Sequence, residues 1–176
     1  MRTPVVLFLL ALIVSARPAS GQETGAVGLT MSFPAAVGIV WQATDALAIR
    51  PDFTFSNSSS DSLSTSNSAV GVGVSALFYV RKWDGLRAYL SPRFGYQRSS
   101  FAVSGSFASP STNTYSGSGS VGAEYQLHPR FAVFAETGLA YSRAKTGDTT
   151  LAPGFPIQSS SHTWGTRAGV GAILYF

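Results

Sequence analysis

Apolar and polar residues alternate along most of this chain, and the period is two rather than 3.6. Cut at its turn signals, the alternating sequence predicts eight strands: Ala26–Phe33, Ala35–Gln42, Ala46–Ser56, Ala69–Val80, Leu86–Gln97, Tyr115–Gln126, Phe131–Ser142 and His162–Phe176. The connections alternate in length. Thr44-Asp45, Arg81–Gly85 and Leu127–Arg130 are tight, whereas 57–68, 98–114 and 143–161 are long and rich in Ser, Thr, Gly and Pro. Only the first connection of the second kind, near Phe33-Pro34, is short. Long and short ends alternating along an even number of strands predict an antiparallel up-and-down barrel. The loops lie at one rim, and both chain ends at the other.

The alternation also sorts residues by face. The last strand sets Trp164, Thr166, Ala168, Val170, Ala172, Leu174 and Phe176 against Gly165, Arg167, Gly169, Gly171, Ile173 and Tyr175. The seventh sets Phe131, Val133, Ala135, Thr137, Leu139 and Tyr141 against Ala132, Phe134, Glu136, Gly138 and Ala140. Within the predicted strands every charge falls on the second kind of face: Arg50, Asp52, Arg87, Arg93, Glu124, Glu136 and Arg167. A barrel in water does the reverse. A lipid-facing Arg or Lys at the bilayer midplane costs about 2–4 kcal/mol, so the charged face is expected to be the interior of a transmembrane barrel. An unpaired buried charge is costly. Arg50, Asp52, Arg93, Glu124, Glu136 and Arg167 are therefore expected to form an ion-pair network across the lumen. Aromatic residues on the apolar face gather toward the strand ends, as the two girdles of a membrane barrel do. Trp41, Phe78, Tyr125, Phe131 and Phe176 lie toward the short turns. Phe33, Phe53, Phe55, Phe94, Tyr96, Tyr115, Tyr141 and Trp164 lie toward the loops.

The N-terminus reads differently. Arg2, the apolar run Val5–Val14 and the small residues Ala19-Ser20-Gly21 predict a secretory signal peptide over 1–21, with the barrel over 22–176. The apolar run is too short to span a bilayer, which takes about 20 residues. Charged residues make up 11% of the chain, against about 25% in an ordinary soluble domain. Losing Arg2 and Arg17 with the leader brings the chain near neutrality, and no basic run suggests nucleic acid as a partner. With no cysteine, disulfides and Cys-ligated metals are excluded.

These features resemble the small eight-stranded outer-membrane barrels of Gram-negative bacteria: the barrel domain of outer-membrane protein A, the OmpX type and the neisserial opacity proteins. The resemblance covers about 25–176, and its most specific element is the ending Ala172-Ile173-Leu174-Tyr175-Phe176. A terminal Phe after alternating apolar residues is similar to the signal that the barrel-assembly machinery reads in that family. The resemblance thus implies Val170, Ala172, Leu174 and Phe176 as the recognised positions. It also implies outer-membrane localisation and contact with outer-membrane lipid. Nothing follows Phe176, so no peptidoglycan-binding domain is expected. Pro51 and Pro92 fall inside predicted strands, where bulges would reconcile them. Phe101, Val103 and Phe107 break the parity of the fifth strand, so 98–114 is expected to be a loop or a projecting hairpin.

The candidate chemistry is thin. A lipid A-modifying barrel enzyme of the deacylase kind needs a His-x-Ser pair at the membrane edge and an acid to orient the His. His128 sits before Pro129 in a tight turn. His162 follows Ser159-Ser160-Ser161 and shares the outward parity of Trp164, with no His-x-Ser motif. Glu124 and Glu136 as an acid–base pair compete with simple ion pairing to Arg50, Arg93 or Arg167. Two His without Cys argue against a transition-metal site, and Asp61 and Asp148 are too sparse for a calcium loop. Gly117–Ser120 lacks the helix and Lys of a phosphate loop. No cofactor is expected. Eight strands enclose little more than their own side chains, so a narrow pore is the weaker alternative, although interior glycines would make room for inward Arg and Tyr. The sequence thus predicts a non-enzymatic outer-membrane barrel, structural or acting through its long loops. Partners at those loops would be a glycan or a host or neighbouring protein.

Overall fold

The computed structural model describes residues 23–34, 36–60, 65–103, 111–150 and 156–176. The expected leader, Phe107 and Asp61 lie outside the described residues. Eight strands follow one another: β1 (Val27–Phe33), β2 (Ala36–Thr44), β3 (Leu47–Ser60), β4 (Thr65–Lys82), β5 (Leu86–Val103), β6 (Ser111–His128), β7 (Phe131–Thr150) and β8 (Pro156–Tyr175). Each pairs antiparallel with the next, and β8 closes on β1. The fold is all-β, an up-and-down barrel with its termini at the short-turn rim, where Gly28 faces Tyr175.

Strand register links Met31, Val37, Phe53, Val72, Tyr96, Tyr115, Arg143 and His162 in one path around the wall. Met31 also faces Ala172 on β8. One circuit therefore climbs ten residues along β8, a stagger that tilts the strands by about 40–45°. From Phe131 to Tyr141 the wall then rises about 25 Å, the height of the apolar band on a membrane barrel. Leu90, Phe94, Val121, Leu139, Val170 and Leu174 stand exposed on its outer surface. Rings border that surface on both sides. Tyr96 packs on Tyr115 and Tyr141 on Trp164 above, with centroids 5.2 and 5.0 Å apart. Trp41, Phe78, Tyr125 and Phe131 stand below.

Two expectations are corrected. The stretches 57–68 and 143–161 are largely strand rather than loop, while 98–114 takes the hairpin alternative, β5 running to Val103 and β6 starting at Ser111. Ser59 pairs with Ser66, Ser100 with Ser111 and Thr146 with Ser159, and β4 stays paired to β5 up to Thr65↔Val103. Polar residues occupy both faces here because both faces meet water, so the sequence shows no alternation even though the pairing continues. Phe101 lies in this extension, opposite Asn67, with the register of β5 unbroken. The second correction concerns the prolines. Neither sits at a bulge. The β2–β3 register is the same on both sides of Pro51, at Gly38↔Asp52 and Trp41↔Ile49. The β4–β5 register likewise holds across Pro92, at Ser75↔Arg93 and Phe78↔Leu90. The opposite neighbours pair without interruption, at Pro51↔Val74 and Pro92↔Gly119. A proline lacks one N–H, and that group points to only one neighbouring strand. The ladder is broken on one side only, and the barrel stays closed. The register shifts lie elsewhere, toward the short turns at Gln42/Thr44, Tyr79/Arg81 and Gln126/His128, and in the β7–β8 extension at Thr146/Thr149.

The rim is uneven. β1 and β2 stop at Phe33 and Ala36, while β3 to β8 run on as a six-stranded wall. β8 loses its β1 partner above Val170, and β3 loses its β2 partner above Phe53. Among the described residues no strand fills the notch between them.

Candidate functional site

Inward side chains fill the barrel in layers. At the short-turn end Val40, Leu77 and Ile173 are fully buried. On the short-turn side of them Glu124 gathers a cluster. Arg87 Nη2 donates to its Oε1 at 2.5 Å, Tyr175 Oη donates to the same oxygen at 3.0 Å, and Tyr79 Oη donates to Oε2 at 3.0 Å. Arg87 also donates to Gln42 Oε1 at 3.2 Å and lies 4.1 Å from the centroid of the Tyr79 ring. Arg87 and Glu124 are only 1% and 2% exposed. At that burial the pair holds together because hydrogen bonds use the remaining oxygens and N–H groups.

The next layer centres on Glu136. Arg50 Nη2 donates to Oε2 at 2.6 Å and Arg167 Nη2 to Oε1 at 3.1 Å. Tyr89 Oη donates to Oε2 at 3.4 Å, and Arg50 stacks over Phe134. Higher still, Arg93 forms a two-pronged pair with Asp52. Glycine makes these long side chains fit. A Cβ on Gly122 would lie 2.5 Å from the Tyr89 ring.

The lumen residues read from the sequence thus divide into separate groups. Arg50, Glu136 and Arg167 meet; Asp52 and Arg93 meet. Glu124 meets none of Arg50, Arg93 or Arg167, contrary to the expectation. Its partner is Arg87, directly opposite in register across β5 and β6. Sequence reasoning did not single out Gln42, Tyr79, Tyr89 and Tyr175 as parts of the network. Their signal was parity, since each shares the face of a neighbouring charge. Of the assembly positions, Val170, Ala172 and Leu174 alternate along the outer face of β8, and Phe176 follows its end.

Both histidines lie away from this network. His128 Nδ1 accepts from the Arg130 N–H in its turn at 3.3 Å. His162 is exposed on the outer face opposite Arg143. Among the described residues no cluster of His, Asp and Glu is arranged to hold a metal. Around His162 the strand extensions carry outward charges absent from the band below. Arg98, Arg143 and Lys145 are exposed. Arg98 and Lys145 both face Asn113, and Arg143 faces Tyr115. They stand immediately above the girdle rings Tyr96, Tyr115 and Tyr141.

A cavity of about 220 Å³ lies between the Glu136 and Asp52 pairs and the notch, lined by Arg50, Asp52, Arg93, Glu136 and Arg167, with Phe33 and Pro34 at its lip. Beneath it the buried side chains of the Glu124 cluster fill the lumen, which disfavours a continuous pore.

The architecture just described is a closed eight-stranded antiparallel β-barrel, a fold that small outer-membrane proteins also have. A major outer membrane protein from Thermus thermophilus is similar, with a TM-score of 0.54 at 13% identity over 88% of this chain and 100% of that one. The attachment invasion locus protein Ail of Yersinia pestis aligns with a TM-score of 0.46 at 13% identity, over 86% of this chain and 94% of that one. CarO of Acinetobacter baumannii aligns with a TM-score of 0.41 at 11% identity, over 88% and 98%. At such identities the likeness is one of fold. No family model and no curated protein matches the chain.

Proposed function

We propose that this chain is a non-enzymatic integral barrel of the outer membrane. It is anchored by its apolar band and acts at the cell surface through the wall that β3 to β8 raise above that band. The observation that carries this reading is the reversal of inside and outside: buried ion pairs fill the lumen while Leu, Val and Phe stand exposed around it. Lipid is the surrounding that makes both favourable. Both carboxylates that would serve as an acid–base pair are engaged by arginine, which favours the non-enzymatic reading over lipid A modification.

The projecting wall exposes Ser, Thr and Asn on paired strands, with few charges, a surface suited to polar contacts with a glycan or a neighbouring protein. Arg98, Arg143 and Lys145 stand where outer-leaflet headgroups would lie, positioned to contact lipid phosphates. The leader would direct export, and Val170, Ala172, Leu174 and Phe176 would engage the assembly machinery, as the family resemblance implies.

The test is gel mobility of the outer-membrane fraction, unheated against boiled in SDS. The unheated protein should run as a folded species and shift on boiling. Recovery in the soluble fraction without a shift would reverse the inside–outside assignment. Removing the hairpin segments above Ser56/Ala69, Arg98/Asn113 and Arg143/His162 should keep the heat shift but abolish surface binding.

A further inference from the structure

We infer that the cavity beneath the notch is a binding site for an oxyanion, the phosphate or carboxylate group of a small ion or of a lipid headgroup. This site is separate from the surface role proposed above and lies inside the barrel. Three observations converge on it. First, its charges do not balance. Arg50, Arg93 and Arg167 face two carboxylates, Asp52 and Glu136, whereas in the cluster below Arg87 and Glu124 match one to one. An uncompensated cation in a poorly solvated lumen is unfavourable, and an anion bound beside the three arginines removes the excess. Second, Arg50 has bonding capacity to spare. Arg50 is 5% exposed, and its Nη1 has no hydrogen-bond partner. Arg50 is opposite Ser75 in register, and Ser75, whose buried Oγ also lacks a partner, is opposite Arg93. Guanidinium groups with free N–H positions are suited to planar and tetrahedral oxyanions. Third, the space and the route exist. A single water needs about 10–15 Å³, and the cavity is far larger, about 220 Å³.

The route fixes how a ligand enters. Phe33 is opposite Val170 on β8, six residues along the strand from the girdle ring Trp164. At a strand tilt of about 40–45° Val170 lies about 14 Å below that ring. The lip of the notch is therefore below the girdle, at the depth of lipid chains rather than of water. Phe33, 74% exposed, stands on that lip. An ion from outside would descend between the strand extensions. A lipid headgroup would enter sideways through the notch, leaving its chains against Phe33. Both sources present the same oxyanion to Arg50, Arg93 and Arg167.

The test uses the full protein extracted from membranes in non-ionic detergent. The temperature of its folded-to-unfolded mobility shift is titrated with inorganic phosphate and with acetate, against chloride at equal ionic strength. The midpoint should rise saturably with at least one oxyanion. Arg50→Met and Arg167→Gln should weaken the apparent affinity about tenfold, as loss of one charge-assisted hydrogen bond does. Lys82→Gln, exposed at the short-turn end of β4, should leave it unchanged. Arg167 is the more accessible of the two, with a side chain 31% exposed, so its variant carries the test if Arg50→Met does not fold. Native mass spectrometry separates the sources. A one-to-one lipid adduct kept by the parent and lost in Arg167→Gln assigns a headgroup; stabilisation by phosphate or acetate with no adduct assigns a free ion. Absence of both effects, or effects equal in parent and Arg167→Gln, overturns the site.

Discussion

Arg93 reaches Asp52 across the bare backbone of Gly73. Gly73 is opposite Asp52 on one side and Gly95 on the other, and the guanidinium lies where a Cβ on Gly73 would stand. The ion pair thus depends on a residue that contributes no side chain to it.

Gly73→Ala should therefore loosen the upper lumen. The methyl group has to displace Arg93 from Asp52, an overpacking that costs about 1–3 kcal/mol. A lowered urea midpoint with an unchanged slope would measure it. Gly117→Ala, whose Cβ would meet nothing within 4 Å, is the control and should leave the midpoint alone.

Glu124→Gln should be more damaging. It leaves Arg87 buried without its charge partner, an effect of about 3–5 kcal/mol. The double variant Arg87→Met/Glu124→Leu removes both charges and should recover most of the loss. A double variant as unstable as Glu124→Gln would mean that the hydrogen bonds of Tyr79 and Tyr175, rather than the unpaired charge, dominate.

Charges introduced on the outer face should report the lipid boundary. Leu139→Arg places a guanidinium within the exposed apolar band and should cost about 2–4 kcal/mol in bilayer-folded protein, whereas Asn113→Arg, beside Arg98 and Lys145, should cost about 0–1 kcal/mol. Equal costs at the two positions would contradict the assigned band.

Phe176→Ala should lower the amount of heat-modifiable protein in the outer membrane without changing the stability of what does assemble. Phe176 follows the end of β8 and is tied to the ladder through its backbone N–H, which donates to Val27 C=O at 3.0 Å and survives the substitution. A variant that assembles normally would remove Phe176 from the assembly signal that the resemblance implies.

Arg143→Gln combined with Arg98→Gln and Lys145→Gln should leave the heat shift intact but weaken association with vesicles of anionic lipid. The lipid-dependent difference should shrink as salt rises. Unchanged association would separate these residues from headgroup contact.

Strand number, the parity of each membrane segment and the inward placement of the charges followed from sequence alone, because a two-residue period and a lipid-facing surface that excludes charge act on each strand separately. Arg87 and Glu124 were legible as inward, and Phe131 and Leu139 as outward, without any neighbour being known. Which charges meet was not legible. Pairing depends on strand register and on the stagger around the barrel, which set Glu124 opposite Arg87 and bring Arg50 and Arg167 to Glu136. The projecting wall was hidden as well. Where water bathes both faces of a strand, alternation carries no energetic penalty and leaves no pattern, and only pairing such as Ser59 to Ser66 or Thr146 to Ser159 shows that the chain continues as sheet. The notch combined the two kinds of information: the short Phe33-Pro34 connection stood in the sequence, but closure of the barrel decided that it opens onto three arginines.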